Sequence, residues 1–345
     1  MRLYAGCYTD ETPEGGILSF DFCPETGALR PISGFGFSPN PSYLALRGRM
    51  LYAVSETAGG AVTSFALEAD GAPRPVSSMP SGGDDPCHIF IWPDGRRMTV
   101  ANYSSGSLVA LELLPGGAAA RRSDFIQHRG AGHFAQGRQA SPHLHSTGVD
   151  ASGQLLAADL GLDRIFRYRL GADGKLQPGA PAIVAPPGAG PRHFCFSRDG
   201  GTLYAVAELG NLLLEYAYDP AGECALRAAH PLLDEAFTGE NLAADVHLSP
   251  DGRFLYASNR GADDIAAFRI GADGRAAFIG RSSAHGRGPR NFCLSPDGRF
   301  ALIANQYSGN IAVCARDVAS GLIGALVCSV DAPRAVCLAL DGGEA

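Results

Sequence analysis

No CxxC pair occurs among the nine cysteines of this 345-residue chain, and nine is an odd number. A disulfide framework is therefore disfavoured as an organising device, and reduced thiols in a cytoplasmic protein are the expectation. The opening stretch MRLYAGCYTDE has no basic region leading into an apolar run, so no signal peptide is expected. No apolar run approaches the length that spans a bilayer, which sets membranes aside as a partner. A net charge of −7 likewise disfavours nucleic acid, although it leaves room for a local basic pocket. The chain has no GxSxG elbow, no HExxH, no phosphate-loop GxxxxGK[ST] and no GxGxxG after a first strand. Serine-nucleophile and nucleotide chemistry are thus disfavoured. Helical periodicity is missing too, as are collagen-like and low-complexity tracts.

What is present is one unit, repeated. FCFSRDGGTLYAVAE (194–208), VHLSPDGRFLYASNR (246–260) and FCLSPDGRFALIANQ (292–306) match almost letter for letter. IFIWPDGRRMTVANY, HSTGVDASGQLLAAD and SYLALRGRMLYAVSE are weaker copies. Each reads as strand, tight Asp-Gly turn, strand, and each is followed by a third strand such as DIAAFRI or NIAVCAR. The units open at Pro41, Pro86, Pro142, Pro191, Ala244, Pro289 and Pro333, about 44–56 residues apart, which is the size of a four-stranded propeller blade. Six units are complete. The seventh is expected to combine APRAVCLAL (332–340) with LYAGCYTDE and GILSFDF from the N-terminal end, closing the ring. The expected fold is thus an all-β, seven-bladed β-propeller forming one domain over residues 1–345. The weaker alternative is a pair of β-sandwiches. Three cysteines, Cys195, Cys293 and Cys337, each follow a Pro-Arg pair by three residues and read as small buried hydrophobes at one strand position.

In such a unit the start of the first strand and the end of the second share an edge at the central channel. The second-strand ends read Tyr8, Glu56, Tyr103, Asp159, Glu208, Arg260 and Gln306, all polar. First-strand starts add His88, His143, His145, Arg192, His193, Asp245, His247, Arg290, Asn291 and Arg334. Arg192, Arg260, Arg290 and Arg334 come from four consecutive units, and guanidinium groups gathered at one mouth suit a small anionic substrate. Alternatively, each arginine caps its own blade. His145 and Glu208 are the proton-transfer candidates. A metal on His143, His145 and Asp159 or Asp245, or calcium on Asp159 and Asn102, is a weaker alternative, because no closed ligand signature is present. No metal and no cofactor are expected. The longest departure from the period is an insertion at 115–141, read as a polar loop carrying Arg121, Arg122, His128, Arg129, His133 and Arg138.

The segments PHLHS, GPRHF…LYAVAELGN and AADVHLSPDGRFLYASNRGAD, with QHRGAGH…RQASPHLHS in the insertion, resemble the lactonase family of seven-bladed propellers. That family includes bacterial propeller-type 6-phosphogluconolactonases and fungal carboxy-cis,cis-muconate cyclases, and the resemblance spans essentially the whole chain. It implies a metal-free active site on His145, Arg192, Glu208 and Arg260. His143, His193, Asp159, His247, Arg290 and Gln306 are then expected to help bind substrate. The implied reaction is opening of 6-phosphogluconolactone, with His145 as general base and Glu208 orienting it or relaying its proton. Arg192 and Arg260, helped by Arg290, would hold the phosphate and polarise the carbonyl. A lactonizing cyclase, a lactonase for an unphosphorylated substrate, and a non-catalytic propeller binding an anion or a protein are the alternatives.

Overall fold

The recurring Ser-x-Asp-Gly step owes its repetition to one small hydrogen-bonded turn. Ser249 Oγ donates to Asp251 Oδ1 at 2.6 Å and accepts the Phe254 N–H at 2.9 Å. Ser295 does the same with Asp297 and Phe300, and Ser197 with Asp199 and Thr202. The turn ends in a left-handed residue, with φ of +71°, +72° and +69° at Gly200, Gly252 and Gly298, so glycine is required there.

A computed structural model describes residues 1–10, 16–36 and 38–342. Their strands form seven antiparallel sheets, six of four strands and one of five. Blade I takes its inner strand from Ala335–Leu340, followed outward by Arg2–Cys7, Ile17–Phe22 and Leu29–Phe35. Blades II to VII follow in chain order over 44–80, 86–127, 144–184, 191–231, 242–283 and 289–331. The seven-bladed ring and its closure by the two ends of the chain are as expected; Glu11 and residues 343–345 lie outside the described residues. Among the described residues, helix is limited to one 3-10 turn, Gly137–Gln139.

Second strands such as Thr202–Ala207 and Phe300–Asn305 are buried at every position, because both faces of a blade meet a neighbour. Fourth strands such as Leu29–Phe35 are mostly exposed. Seven apolar clusters occupy the seven gaps between blades, for example Leu213, Val206 and Leu255 between blades V and VI. Neighbouring blades are also tied by a repeated polar link. Tyr4, Tyr52 and Tyr256 each donate a hydroxyl to a glycine carbonyl in the outer hairpin of the next blade, at 2.6 Å to Gly71, Gly117 and Gly321. Tyr204 makes the same bond to Gly274.

Register corrects three expectations. In blades III, IV, V and VII the inner strand carries a β-bulge one residue after its start, so Cys87, His145, Arg192 and Arg290 are unpaired extra residues. In blade I that slot is Val336, and Cys337 pairs with Gly6. Cys195 and Cys293 do share a strand position, opposite Tyr204 and Leu302, but Cys337 and Arg334 sit two residues away from their supposed counterparts. In blade IV the slot aligned with Asp159 belongs instead to Leu160, whose N–H bonds the His143 carbonyl as Glu208 N–H bonds Gly190. The insertion is also shorter than expected, because Ala119–Gln127 forms the fourth strand of blade III.

Tyr52→Phe removes a buried donor and leaves the Gly117 carbonyl without it, at a position remote from the channel mouth. The expected loss is about 1–2 kcal/mol in equilibrium urea unfolding. An unchanged midpoint would show that the tyrosine link contributes nothing to the ring.

Candidate active site

A bulge extrudes one side chain from the ladder, and four blades use it to present Cys87, His145, Arg192 and Arg290 from equivalent positions. The neighbouring slot, at the end of the second strand, supplies Glu56, Tyr103, Glu208, Arg260 and Gln306. Each lies just beyond its blade's second strand or at that strand's last residue.

Glu208, only 2% exposed, is the centre of charge. Its Oε1 lies 2.5 Å from Arg138 Nη1, and its Oε2 lies 2.8 Å from Arg192 Nε and 3.0 Å from Arg260 Nη2. The Arg192 contact is an ion pair by distance, although its N–H is not aligned on the oxygen. Burial would raise this carboxyl, but Arg260, Arg192 and Arg138 outweigh burial and push it down to about 2. Glu208 is therefore ionised at neutral pH, and it makes no hydrogen bond to His145 among the described residues. It anchors arginines; it is not placed to relay a proton from His145. Arg192 also donates to the Ala244 carbonyl at 2.6 Å, and Arg260 donates to the carbonyls of Leu242 and Ala243 at 3.3 Å. Both arginines are thus held by the strand starts of blade VI.

His145 is 4% exposed, and its Nδ1 has no hydrogen-bond partner among the described residues. Burial, with Arg192, His193 and Arg290 adding to it, holds its pKa well below the usual histidine value. The imidazole is therefore neutral at pH 7. Its ring meets Tyr103 and His193 edge-on at 5.6 and 5.2 Å between centroids. Arg138 Nε donates to Tyr103 Oη at 2.8 Å, which joins the glutamate cluster to the histidine. His143 stacks on the other side of this group, 4.5 Å from the Tyr103 ring.

Beneath these lies a buried polar layer. His193 Nδ1 is 2.7 Å from Asp245 Oδ1, and His247 Nε2 is 2.9 Å from Asp245 Oδ2, which also accepts from Asn291 Nδ2 at 2.6 Å. Burial, then Arg192, depresses His193 to about 4. His247 is raised, since Asp245 outweighs burial. Gln306 is buried at its expected slot, with Oε1 unpartnered among the described residues. Asp159 does not join the site. It is fully buried, with Oδ2 at 2.6 Å from His128 Nδ1 and Oδ1 accepting from the N–H groups of His143 and Leu162. It fills the place where Asn102, Asn259 and Asn305 bond linker carbonyls, so its role is to shape its blade. Among the described residues no cluster of three or more His, Cys, Asp or Glu is arranged to hold a metal ion.

The sequence pointed to Arg138 only as one of several basic residues in the insertion. Its reach to Glu208 depends on how that segment is pinned, by His128 to Asp159 and by Gln139 to Asp163 at 2.7 Å. Tyr8, Glu56 and Tyr103 stood in the polar ring, and their mutual partners became visible only in three dimensions.

The lactonase-type resemblance is matched by comparison with known proteins. A curated 6-phosphogluconolactonase of Formosa agariphila is 34% identical over 92% of this chain and 93% of the relative. That of Bacillus subtilis is 31% identical over 97% of both. The solved structure of the Pseudomonas aeruginosa periplasmic gluconolactonase superposes with a TM-score of 0.90, at 34% identity and 98% coverage of both chains. No helix among the described residues is long and apolar enough to cross a membrane. The family model "Lactonase, 7-bladed beta-propeller" matches residues 2–340, and the chain belongs to that family.

Proposed function

We propose that this chain is a lactone hydrolase that opens the δ-lactone of a phosphorylated sugar acid, 6-phosphogluconolactone, to the free acid. The observation that carries the reading is His145, its Nδ1 without a partner among the described residues, at the same mouth as Arg192 and Arg260, which Glu208 locks in place. The names of the curated relatives supply the substrate class. His145 takes a proton from water as the water oxygen bonds to the lactone carbonyl carbon, and the C=O electron pair moves onto oxygen. Arg192 and Arg260 stabilise that oxyanion, and their geometry is prepaid by strand carbonyls and Glu208. Collapse breaks the ring C–O bond, and the proton on His145 passes to the departing alkoxide. Small anionic substrate is the partner class, and a cytoplasmic site of action is part of the reading.

His145→Ala and Arg192→Ala should each lower turnover of 6-phosphogluconolactone by about 100-fold or more, with the circular dichroism spectrum retained. Normal turnover in both would overturn the assignment. Glucono-δ-lactone belongs in the same assay, because one structural relative bears the name of an unphosphorylated-lactone enzyme. Binding without turnover would favour a non-catalytic propeller, and cyclisation of a carboxymuconate would reverse the direction of the chemistry.

Acidity separates catalysis from folding. His145 stays neutral below the usual histidine range, so kcat/KM should hold its plateau down through pH 6.5 in short assays. Stability should fall below that point. An unfolded chain protonates His193 near 6.5, whereas the folded chain waits until about 4, so stability present above 6.5 is lost as the pH drops toward 4. Glu208 acts in the same direction, between 4.5 and about 2. Urea midpoints measured across this range check it; a midpoint that rises on acidification would contradict the assignment of these buried groups.

A further inference from the structure

Three of the arginines at the mouth are already neutralised in part. Arg138, Arg192 and Arg260 share the one carboxylate of Glu208. Arg290 differs. It is extruded by the bulge of blade VII and partly buried, yet among the described residues its guanidinium has neither an ion pair nor a hydrogen-bond acceptor. What holds it is an aromatic face: its guanidinium carbon lies 5.6 Å from the centroid of Tyr8, and that of Arg334 lies 5.7 Å from the same ring. Tyr8 is fixed in turn by its hydroxyl, which donates to Glu56 at 2.9 and 3.0 Å to the two carboxylate oxygens. Glu56 is therefore engaged with the phenol and forms no ion pair with Arg290 among the described residues.

Burial disfavours the charged form of Arg290, and Tyr8, Glu56 and Glu208 outweigh it through space, yet its guanidinium donors have no acceptor among the described residues, so an anionic ligand is what would complete their hydrogen bonding. A phosphate monoester meets that need, because it offers several acceptor oxygens and close to two negative charges to planar donors. Arg192 and Arg260 are in part committed already, each donating to strand carbonyls of blade VI and paired by distance with Glu208.

We infer that Arg290, positioned by the Tyr8–Glu56 pair, is the group that recognises the substrate phosphate, so that phosphate docking and carbonyl polarisation fall to different arginines. This rests on the lactone-hydrolase reading for the identity of the ligand, but its test does not require turnover. Titration calorimetry with 6-phosphogluconate and with gluconate gives a ratio of affinities that isolates the phosphate. In the unaltered protein the phosphorylated acid should bind at least about 10-fold more tightly. Arg290→Gln should reduce that ratio by about 10-fold or more. Arg290→Lys, which keeps the charge and loses the planar fork, should reduce it by less. Tyr8→Phe keeps the ring but releases it from Glu56, and should raise KM for the phosphorylated lactone while leaving kcat within about 2-fold. An unaltered ratio in both Arg290 variants, or no discrimination by the parent protein, overturns the inference. Phosphate discrimination that depends on Arg290 with no lactone turnover would instead overturn the hydrolase reading and leave this one standing.

Discussion

Each blade has two apolar faces and no means of covering either by itself. The ring follows from that constraint. Second strands made of residues such as Leu203, Ala205 and Val206 can be buried on both sides only if a sheet stands on each flank. Seven blades satisfy the requirement with seven clusters, and the inner strand supplied by Ala335–Leu340 leaves no open edge between Arg2–Cys7 and the channel. The tyrosine hydroxyls add direction to this packing, since each reaches one particular neighbour.

A closed ring of this kind brings the strand starts together but does not choose which side chains meet there. The bulge makes that choice. One extra residue per inner strand releases His145, Arg192 and Arg290 from the ladder, at the same height, in blades IV, V and VII. In blades I and III the same slot holds Val336 and Cys87, so the device is general and the chemistry is local. A single carboxylate, Glu208, then makes it feasible to keep several buried arginines close together. Their mutual repulsion would otherwise act against the ring itself.

The repeat was readable because its turns impose fixed residues: Ser, Asp and Gly are bonded to one another, and only the left-handed position demands glycine. The blades, the split first blade and the gathering of His145, Arg192, Glu208 and Arg260 could all be placed from those marks. Register was harder. Pro333-Arg334 copies Pro191-Arg192 in letters, yet it precedes the inner strand of blade I and lies two residues out of step. Asp159 is polar, like its supposed counterparts, but the longer linker into blade IV moves it one place inward, where it bonds His128 and backbone groups. Local spacing cannot report linker geometry. For the same reason Arg138 was visible only as one basic residue among several.

Tyr8 lies immediately after the strand that pairs with Ala335–Leu340, and its N–H bonds the Arg334 carbonyl. The aromatic platform under Arg290 is therefore built at the seam where the circle is sewn shut. Arg2–Cys7 and Ala335–Leu340, far apart along the chain, meet there, so neither the seam nor the anion platform is complete without the inner strand. Assembly of the pocket is thereby tied to closure of the ring, and a chain cut short before Ala335–Leu340 loses both together.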